Sequence, residues 1–299
     1  MKILVTGGAG FVGTNLIKRL VTNGHEVVSL DDYSTGTEKN HVNGCHYVEG
    51  TVEYVNYYFG MDDSFDLVYH LAGLSRIQPS FENPSETFNV NTIGTQRVLD
   101  WARKKDLKVI YAGSSSKHHD PYQSPYAACK YLGEELCKLY KRTYNMDIEI
   151  CRFYNVYGPH EVIEGDWAAV IGIWRRQVQS GEPITIVGDG EQRRDFTHVY
   201  DIVDALLELQ SVNSSLSIID AWELGTGINY SINEVADMFV KYGGASKTYI
   251  ADQDGNYRET LRESDEALSL LDWNPSDRLE DYIKSLYKGK QLKLDFDGI

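Results

Sequence analysis

The chain has 299 residues, 42% of them hydrophobic, with 29 Lys and Arg against 44 Asp and Glu for a net charge of −15. A fold of this size buries roughly 75% of its unfolded surface and builds a core without a metal or disulfide staple. The acidic balance argues against a nucleic-acid partner, whose footprint is a basic patch, and against docking on an anionic membrane surface.

Lys2–Thr6 is an apolar run of strand length closed by glycines. After it, Phe11, Val12, Leu16, Ile17, Leu20 and Val21 fall on one helical face, and Asn23-Gly24 supplies the stop. Glu26–Leu30, Cys45–Glu49, Asp66–Leu71, Leu107–Ala112 and Ile148–Phe153 read as further strands, and Glu86–Lys104 and Pro125–Arg142 as helices. Strands alternating with helices imply right-handed crossovers and a parallel sheet covered on both faces. The expected fold is α/β, a doubly wound parallel sheet of the Rossmann type, over residues 1–165.

After Pro159 the rhythm changes. Ile184–Val187 reads as a strand closed by Gly188-Asp189-Gly190, and a helix follows over about Val199–Gln210. Ser231-Ile232-Asn233-Glu234 matches a capping box, and Trp273-Asn274-Pro275 ends a short helix. Residues 166–299 are expected to form a smaller α/β substrate lobe, with the segment near 195–212 packing back on the first. The cysteines Cys45, Cys129, Cys137 and Cys151 form no CxxC pair and no zinc spacing. They read as reduced thiols of a cytoplasmic protein without a metal site. The start MKILVTGGAG shows no signal-peptide pattern, and no stretch approaches the ~18 apolar residues of a membrane span.

Gly7-Gly8-Ala9-Gly10-Phe11-Val12-Gly13 follows the first strand and opens the first helix, matching GxGxxG through Gly8, Gly10 and Gly13. Glycines there let a pyrophosphate approach the helix N-terminus, where free N–H groups and the dipole favour anions. Asp31 ends the next strand, placed to accept hydrogen bonds from ribose hydroxyls and to repel a 2′-phosphate. The pattern predicts NAD rather than NADP.

In Ser124-Pro125-Tyr126-Ala127-Ala128-Cys129-Lys130, Ser124 suits a helix cap and Pro125 the first helical position. Lys130 then lies about 6 Å beyond Tyr126 on the same face. An ammonium and a helix N-terminus both favour phenolate, so Tyr126 is the candidate general base. The pair follows the strand Leu107–Ala112 and the small-polar turn Gly113-Ser114-Ser115-Ser116.

These segments, with LDDYSTG (Leu30–Gly36), HLAG (His70–Gly73), NVNTIGT (Asn89–Thr95), RFYNVYGP (Arg152–Pro159) and RRDFTHV (Arg193–Val199), carry a resemblance over nearly the full length. The chain resembles an extended short-chain dehydrogenase/reductase of the NAD-dependent epimerase/dehydratase family, most like UDP-glucose 4-epimerases. The resemblance implies Ser114, Tyr126 and Lys130 as the catalytic Ser, Tyr and Lys. It implies cofactor contacts from Gly7, Gly10, Phe11, Val12, Gly13, Asp31, Asp32, Ser34, Thr35, Gly36, Leu71, Ala72, Gly73, Ser75, Asn91 and Tyr154, together with Tyr126 and Lys130. For a UDP-sugar it implies Ser75, Ser114, Ser115, Tyr126, Asn155 and Arg194.

The departures are as informative. A second phosphate-binding arginine is expected where Gln253 stands, with Arg258 nearby as its substitute. Lys117-His118-His119 replaces the family's Val-Tyr-Gly turn, and Thr51 stands where relatives carry an adenine-contacting Asp. Thr260 falls at the gate position where a small residue admits N-acetylated sugars. The implied reaction is 4-epimerisation of a UDP-hexose (UDP-Glc or UDP-Gal, with the N-acetylated sugars tolerated) through a 4-keto sugar. A nucleotide-sugar 4,6-dehydratase, a decarboxylase and a UDP-uronate 4-epimerase share the oxidation step. The first two carry carboxyl residues just after the catalytic hydroxyl, where this chain has Ser115-Ser116. A non-catalytic NAD-binding module is the alternative of another class. By the same analogy the chain pairs as a homodimer through the helices Glu86–Lys104 and Pro125–Arg142.

Overall fold

The computed structural model describes residues 1–212 and 220–288. Strands that are apolar on both faces require cover on both faces, and the chain supplies it in alternation. Its first half gives β1 (Lys2–Thr6), α1 (Phe11–Thr22), β2 (Glu26–Asp31), β3 (Cys45–Glu49), α2 (Val55–Tyr58), β4 (Leu67–His70), α3 (Ile77–Glu82) and α4 (Pro84–Phe88). There follow α5 (Thr95–Lys104), β5 (Lys108–Ser114), α6 (Pro125–Tyr144) and β6 (Ile148–Phe153). The second half adds α7 (Val170–Ser180), β7 (Ile184–Val187), β8 (Arg193–Asp195), α8 (Val199–Glu208), β9 (Trp222–Leu224) and β10 (Asn229–Ser231). Last come α9 (Ile232–Gly243), β11 (Lys247–Ile250), α10 (Glu266–Leu270) and α11 (Leu279–Leu286).

Seven strands form one sheet in the order β3-β2-β1-β4-β5-β6-β9, every pair parallel. One face is covered by Leu16, Ile17 and Leu20 of α1 with Ile202, Val203 and Leu206 of α8. The other is covered by Val98, Leu99 and Trp101 of α5 with Cys137 and Tyr140 of α6. The expected boundary after residue 165 needs correcting in detail. Besides α8, the edge strand β9 belongs to this sheet, and Leu271 and Trp273 pack on its core. An edge strand of three residues, Trp222-Glu223-Leu224, is too short for alternation or run length to announce it. Residues 289–299, expected in the second lobe, lie outside the described residues.

The helix expected over Glu86–Lys104 is broken by a π-helical turn at Asn89–Gly94 between α4 and α5. A turn of that kind widens the ladder by one residue and is often found at functional sites. The remaining second-lobe elements make two small sheets, β10 with β8 and β11 with β7, around Trp174, Ile184, Ile186, Val235 and Phe239. The capping box is present: Glu234 N donates to Ser231 Oγ at 3.0 Å and Ser231 N to Glu234 Oε2 at 2.6 Å. No described helix is long and apolar enough to cross a membrane. The second lobe sits over the carboxyl edge of the large sheet, where β1 and β4 are neighbours and their loops part, the usual place for a ligand crevice.

Candidate active site

The turn after β1 is closed by contact that only hydrogen permits. Gly7 has φ +71°, and a Cβ there would lie 2.8 Å from Ala72 N. A Cβ on Gly13 would lie 2.2 Å from Gly7 O, inside van der Waals contact with backbone. Gly10 caps α1 without any side-chain acceptor on its first N–H groups. At the end of β2, Asp31 accepts from Ala9 N at 2.8 Å and Tyr33 N at 2.9 Å, one on each oxygen. Those bonds fix the carboxylate and leave it further acceptor sites. Burial nevertheless pushes its pKa up.

This turn opens into a cavity of about 770 Å³ that runs between the lobes. Of the residues expected to contact a dinucleotide, Gly7, Gly10, Phe11, Val12, Gly13, Asp31, Asp32, Ser34, Thr35, Leu71, Ala72, Gly73 and Ser75 line it. Ser114, Ser115, Tyr126, Lys130, Asn155 and Arg194 line the same space. Four expected residues do not. Gly36 packs under the turn, where a Cβ would meet Ala9 C at 2.9 Å. Asn91 is buried behind the wall, its Oδ1 accepting from Leu74 N and its Nδ2 donating to Leu74 O, both at 2.8 Å. It shapes the loop after β4 instead of lining the space. Tyr154 donates to Glu223 Oε2 at 2.6 Å and faces a separate cavity of about 270 Å³ beside His118, His119 and Thr260. Arg258 lies on the surface, its fork closed on both oxygens of Asp189 at 3.0 Å, so it does not stand in for the missing arginine. Gln253 lines the cavity. Gly50 and Val52 line the wall on either side of Thr51, whose buried hydroxyl has no partner among the described residues.

Ser124 caps α6 as expected, accepting from Ala127 N at 3.1 Å, with Pro125 at the first helical position. Tyr126 is further held by its own N–H, which donates to Ser80 Oγ at 3.1 Å. Its hydroxyl donates to Ser114 Oγ at 3.2 Å, and Ser116 N donates to the same oxygen at 3.2 Å. The electrostatics correct the sequence reading. Burial raises the Tyr126 pKa instead of lowering it, opposed by the Ser114 hydrogen bond and then by the charge of Arg76. Lys130 is itself buried, donates to Ala112 O at 2.9 Å, and has its pKa brought down to about 8 by desolvation. A cation so desolvated and turned to a carbonyl does not drive the phenol down on its own.

Behind these groups His70 bonds Thr6 Oγ1 through Nδ1 at 2.8 Å and Thr95 Oγ1 through Nε2 at 3.0 Å. Burial, helped by Lys130, lowers its pKa to about 3, so it is a neutral clip that ties the ends of β1 and β4 to the start of α5.

At the far end Asn155, with φ +24°, donates Nδ2 to Asp195 O and Thr260 Oγ1, both at 3.0 Å. Arg194 donates to Arg193 O at 2.8 Å and Asn256 Oδ1 at 2.7 Å. Among the described residues it has no carboxylate within ion-pair distance, because Asp195 is taken by Thr226 and the N–H groups of Gly227 and Arg262. Burial lowers its pKa to about 10, which still leaves it charged. Arg76 and Glu161 also line the cavity, and nothing in their spacing announced them. They arrive on the loops after β4 and β6, which only the sheet order brings together.

The Lys117-His118-His119 departure is absorbed structurally. Lys117 bonds Glu135 at 2.6 Å, His118 bonds Glu223 at 2.8 Å, and His119 stacks on Tyr257 with ring centroids 3.9 Å apart. Glu223 also accepts from Arg152 at 2.6 Å, extending a buried network toward Glu134.

A doubly wound sheet with an anion-ready glycine turn and a Ser–Tyr–Lys set at its carboxyl edge defines the fold of a dinucleotide-dependent enzyme. Residues 3–216 match the model of the NAD dependent epimerase/dehydratase family, and the chain belongs to it. A putative UDP-glucose 4-epimerase of Methanocaldococcus jannaschii is 32% identical, over 94% of this chain and 96% of that protein. UDP-glucuronic acid decarboxylase 1 of Xenopus tropicalis is 28% identical, over 98% of this chain and 73% of its own length. The crystal structure of UDP-glucose 4-epimerase with UDP-glucose from Thermotoga maritima superposes with a TM-score of 0.85 at 26% identity, covering 98% of this chain and all of that one. The relatives share the family and differ in the reaction that their names state.

Proposed function

We propose that the chain is an NAD-dependent 4-epimerase of a UDP-hexose. The observation that carries this reading is the Tyr126–Ser114 pair, 3.2 Å apart, in one cavity with the glycine turn and with Arg194, which has no carboxylate in ion-pair range among the described residues. The glycine contacts at Gly7 and Gly13, the uncapped start of α1 and the fixed Asp31 carboxylate fit a dinucleotide with a free ribose hydroxyl pair. When bound, NAD supplies the reversible removal of hydride from the sugar carbon. Tyr126 takes the hydroxyl proton in its phenolate form, which the Ser114 hydrogen bond and the charge of Arg76 favour against burial, while Ser114 orients that hydroxyl and Lys130, fixed on Ala112 O, holds positive charge behind the pair. Arg194 and Asn155 hold the diphosphate, leaving the hexose free to turn over once it is a ketone. The absence of a carboxyl side chain at Ser115-Ser116 supports epimerisation over elimination or decarboxylation. By analogy we place a second copy of the chain on α5 and α6, where Leu132 and Leu139 are exposed; sedimentation equilibrium reads this directly.

The test is product analysis with a panel of UDP-hexoses, N-acetylhexosamines included, beside assay of NAD released on denaturation. Tyr126→Phe keeps the ring and removes the proton acceptor, so turnover should fall at least ~100-fold with NAD still bound. Bound NAD with no turnover of any nucleotide sugar in the wild type overturns the reading.

A further inference from the structure

His119 and Tyr257, far apart in sequence, stack with ring centroids 3.9 Å apart and planes 11° from parallel. His119 lines the smaller cavity and Tyr257 the larger one, so the stack is a partition between them. The imidazole covers one face of the phenol ring, and the ring meets the larger cavity with the other. Its hydroxyl takes no part in this wall, because it is buried beside Ser124 at the start of α6. What Tyr257 offers the larger cavity is therefore ring carbon. Its place along that cavity is fixed by its neighbours. Gly255 packs on the backbone ahead of α6, where a Cβ would meet Gln123 O at 3.5 Å. Asn256 accepts from Arg194 at 2.7 Å, and Thr260 accepts from Asn155 at 3.0 Å. Tyr257 accordingly stands within the fields of both Arg194 and Tyr126.

A hexose in this cavity has to reach both of those groups. Its diphosphate, on C1, is held by Arg194 and Asn155, and its reacting hydroxyl, on C4, lies at Tyr126. C1 and C4 are opposite corners of a pyranose, so the whole ring lies between the two groups whichever face it presents. Tyr257 occupies that same interval. We infer that Tyr257, backed by His119, is a substrate-binding residue, the wall on which the hexose ring stacks through its C–H bonds. The contact is dispersion and burial of apolar surface against an aromatic face. Such a wall has no donor or acceptor to pair with one particular hydroxyl. It makes the same kind of contact with either face of the sugar, and so steadies the ring before and after the turn-over that epimerisation requires. A hydrogen-bonding clamp in its place would hold one orientation and leave a buried group unpaired in the other. The stack on His119 fixes the plane of the phenol ring in advance, which lowers the ordering cost of binding. The Lys117-His118-His119 departure thereby has a role at the site.

This inference rests on the epimerase reading for the placement of the sugar, and the experiment separates the two. UDP-glucose and UDP alone are titrated calorimetrically into Tyr126→Phe protein, which binds without turnover, with and without a change at Tyr257. Tyr257→Ala should weaken UDP-glucose about 10-fold, the scale of one aromatic stacking contact with its buried area, and leave UDP within about two-fold. Tyr257→Phe should keep UDP-glucose within about two-fold, since the hydroxyl is turned away from the cavity. His119→Ala leaves the ring in place without its backing and should cost UDP-glucose about three-fold. In the otherwise unaltered protein, kcat/KM should follow the same order. An equal loss for UDP and UDP-glucose in Tyr257→Ala overturns the inference, because it makes the residue a support of the lobe. A loss in Tyr257→Phe as large as in Tyr257→Ala also overturns it, since the hydroxyl and not the ring face would then be what the sugar meets. Unchanged UDP-glucose affinity in Tyr257→Ala overturns it outright. If Tyr257→Ala does not fold, Tyr257→Leu, which fills the space without a ring face, decides by the same comparison of UDP-glucose with UDP. UDP-glucose that binds with the expected losses, while no nucleotide sugar is consumed by the unaltered protein, removes the epimerase reading and leaves the stacking wall standing.

Discussion

At one end of the cavity the wall is backbone. Gly7 packs on Ala72, Gly13 on Gly7, and both oxygens of Asp31 are met by main-chain N–H groups. At the other end the wall is long side chains from separate segments, and Arg194 of β8 and Arg76 of the loop after β4 line it with no carboxylate in ion-pair range among the described residues. The first end is complete before a ligand arrives; the second is electrostatically unfinished. Affinity for a common cofactor is served by the first arrangement. Selection among substrates is served by the second, since a charge left open discriminates by what it fails to satisfy.

The sharpest way to break this contrast is to put volume into the backbone wall. In Gly13→Val the new Cβ starts 2.2 Å from Gly7 O and 2.7 Å from Gly8 Cα, neither of which is the end of a flexible side chain. The turn must open, at a cost of roughly 3 kcal/mol or more. The purified variant should release no NAD on denaturation and should melt well below the wild type. Retention of NAD at the wild-type level would mean that close backbone approach is not what forms this end.

That same contrast explains what could be read without coordinates. Glycine spacing, the Asp31 carboxylate after a strand, the Ser124-Pro125 helix start and the Ser231–Glu234 box are local, because each rule ties residues a few positions apart. So the sheet, its first strands and the reach of the turn were legible. Arg76 and Glu161 follow no such rule; their meaning depends on β4 and β6 ending at the same edge. Arg258 shows the converse error. Its proximity to Gln253 in sequence promised a replacement arginine, but the chain between them turns through Gly255, φ +74°, and Arg258 closes on Asp189 outside. The Tyr126 pKa was misjudged for a related reason. Helical spacing gives the distance to a cation but not how deeply both groups are buried.

The next largest effect should come from removing the charge at the far end. Arg194→Gln keeps a donor but leaves the diphosphate unanswered, so KM for the nucleotide sugar should rise about 10- to 100-fold, with kcat changed far less. Arg258→Ala is the matched control, since an exposed pair is screened by water; its kinetics should stay within about two-fold of wild type. Equal losses for the two variants would put Arg258 back in the site and dissolve the distinction between the ends.

The smallest effect sharpens the electrostatics of the unfinished end through Glu161. Burial raises this carboxyl from 4.5 to about 7, so the folded protein holds its proton more tightly than the unfolded chain. The stabilisation from that proton is fully present below about 4.5 and is lost as pH rises through about 7. Glu161→Gln removes the titration while keeping the shape and an acceptor for Tyr282, which donates to it at 3.0 Å. Between pH 5 and pH 8 the variant should therefore gain on the order of 2 kcal/mol relative to wild type, measured by urea unfolding at both pH values. The sign is the discriminating result. A variant that loses ground at pH 8 would show that the ionised carboxylate is stabilised by Arg175 and Arg76, and Arg76 would then already have its counter-charge within the chain.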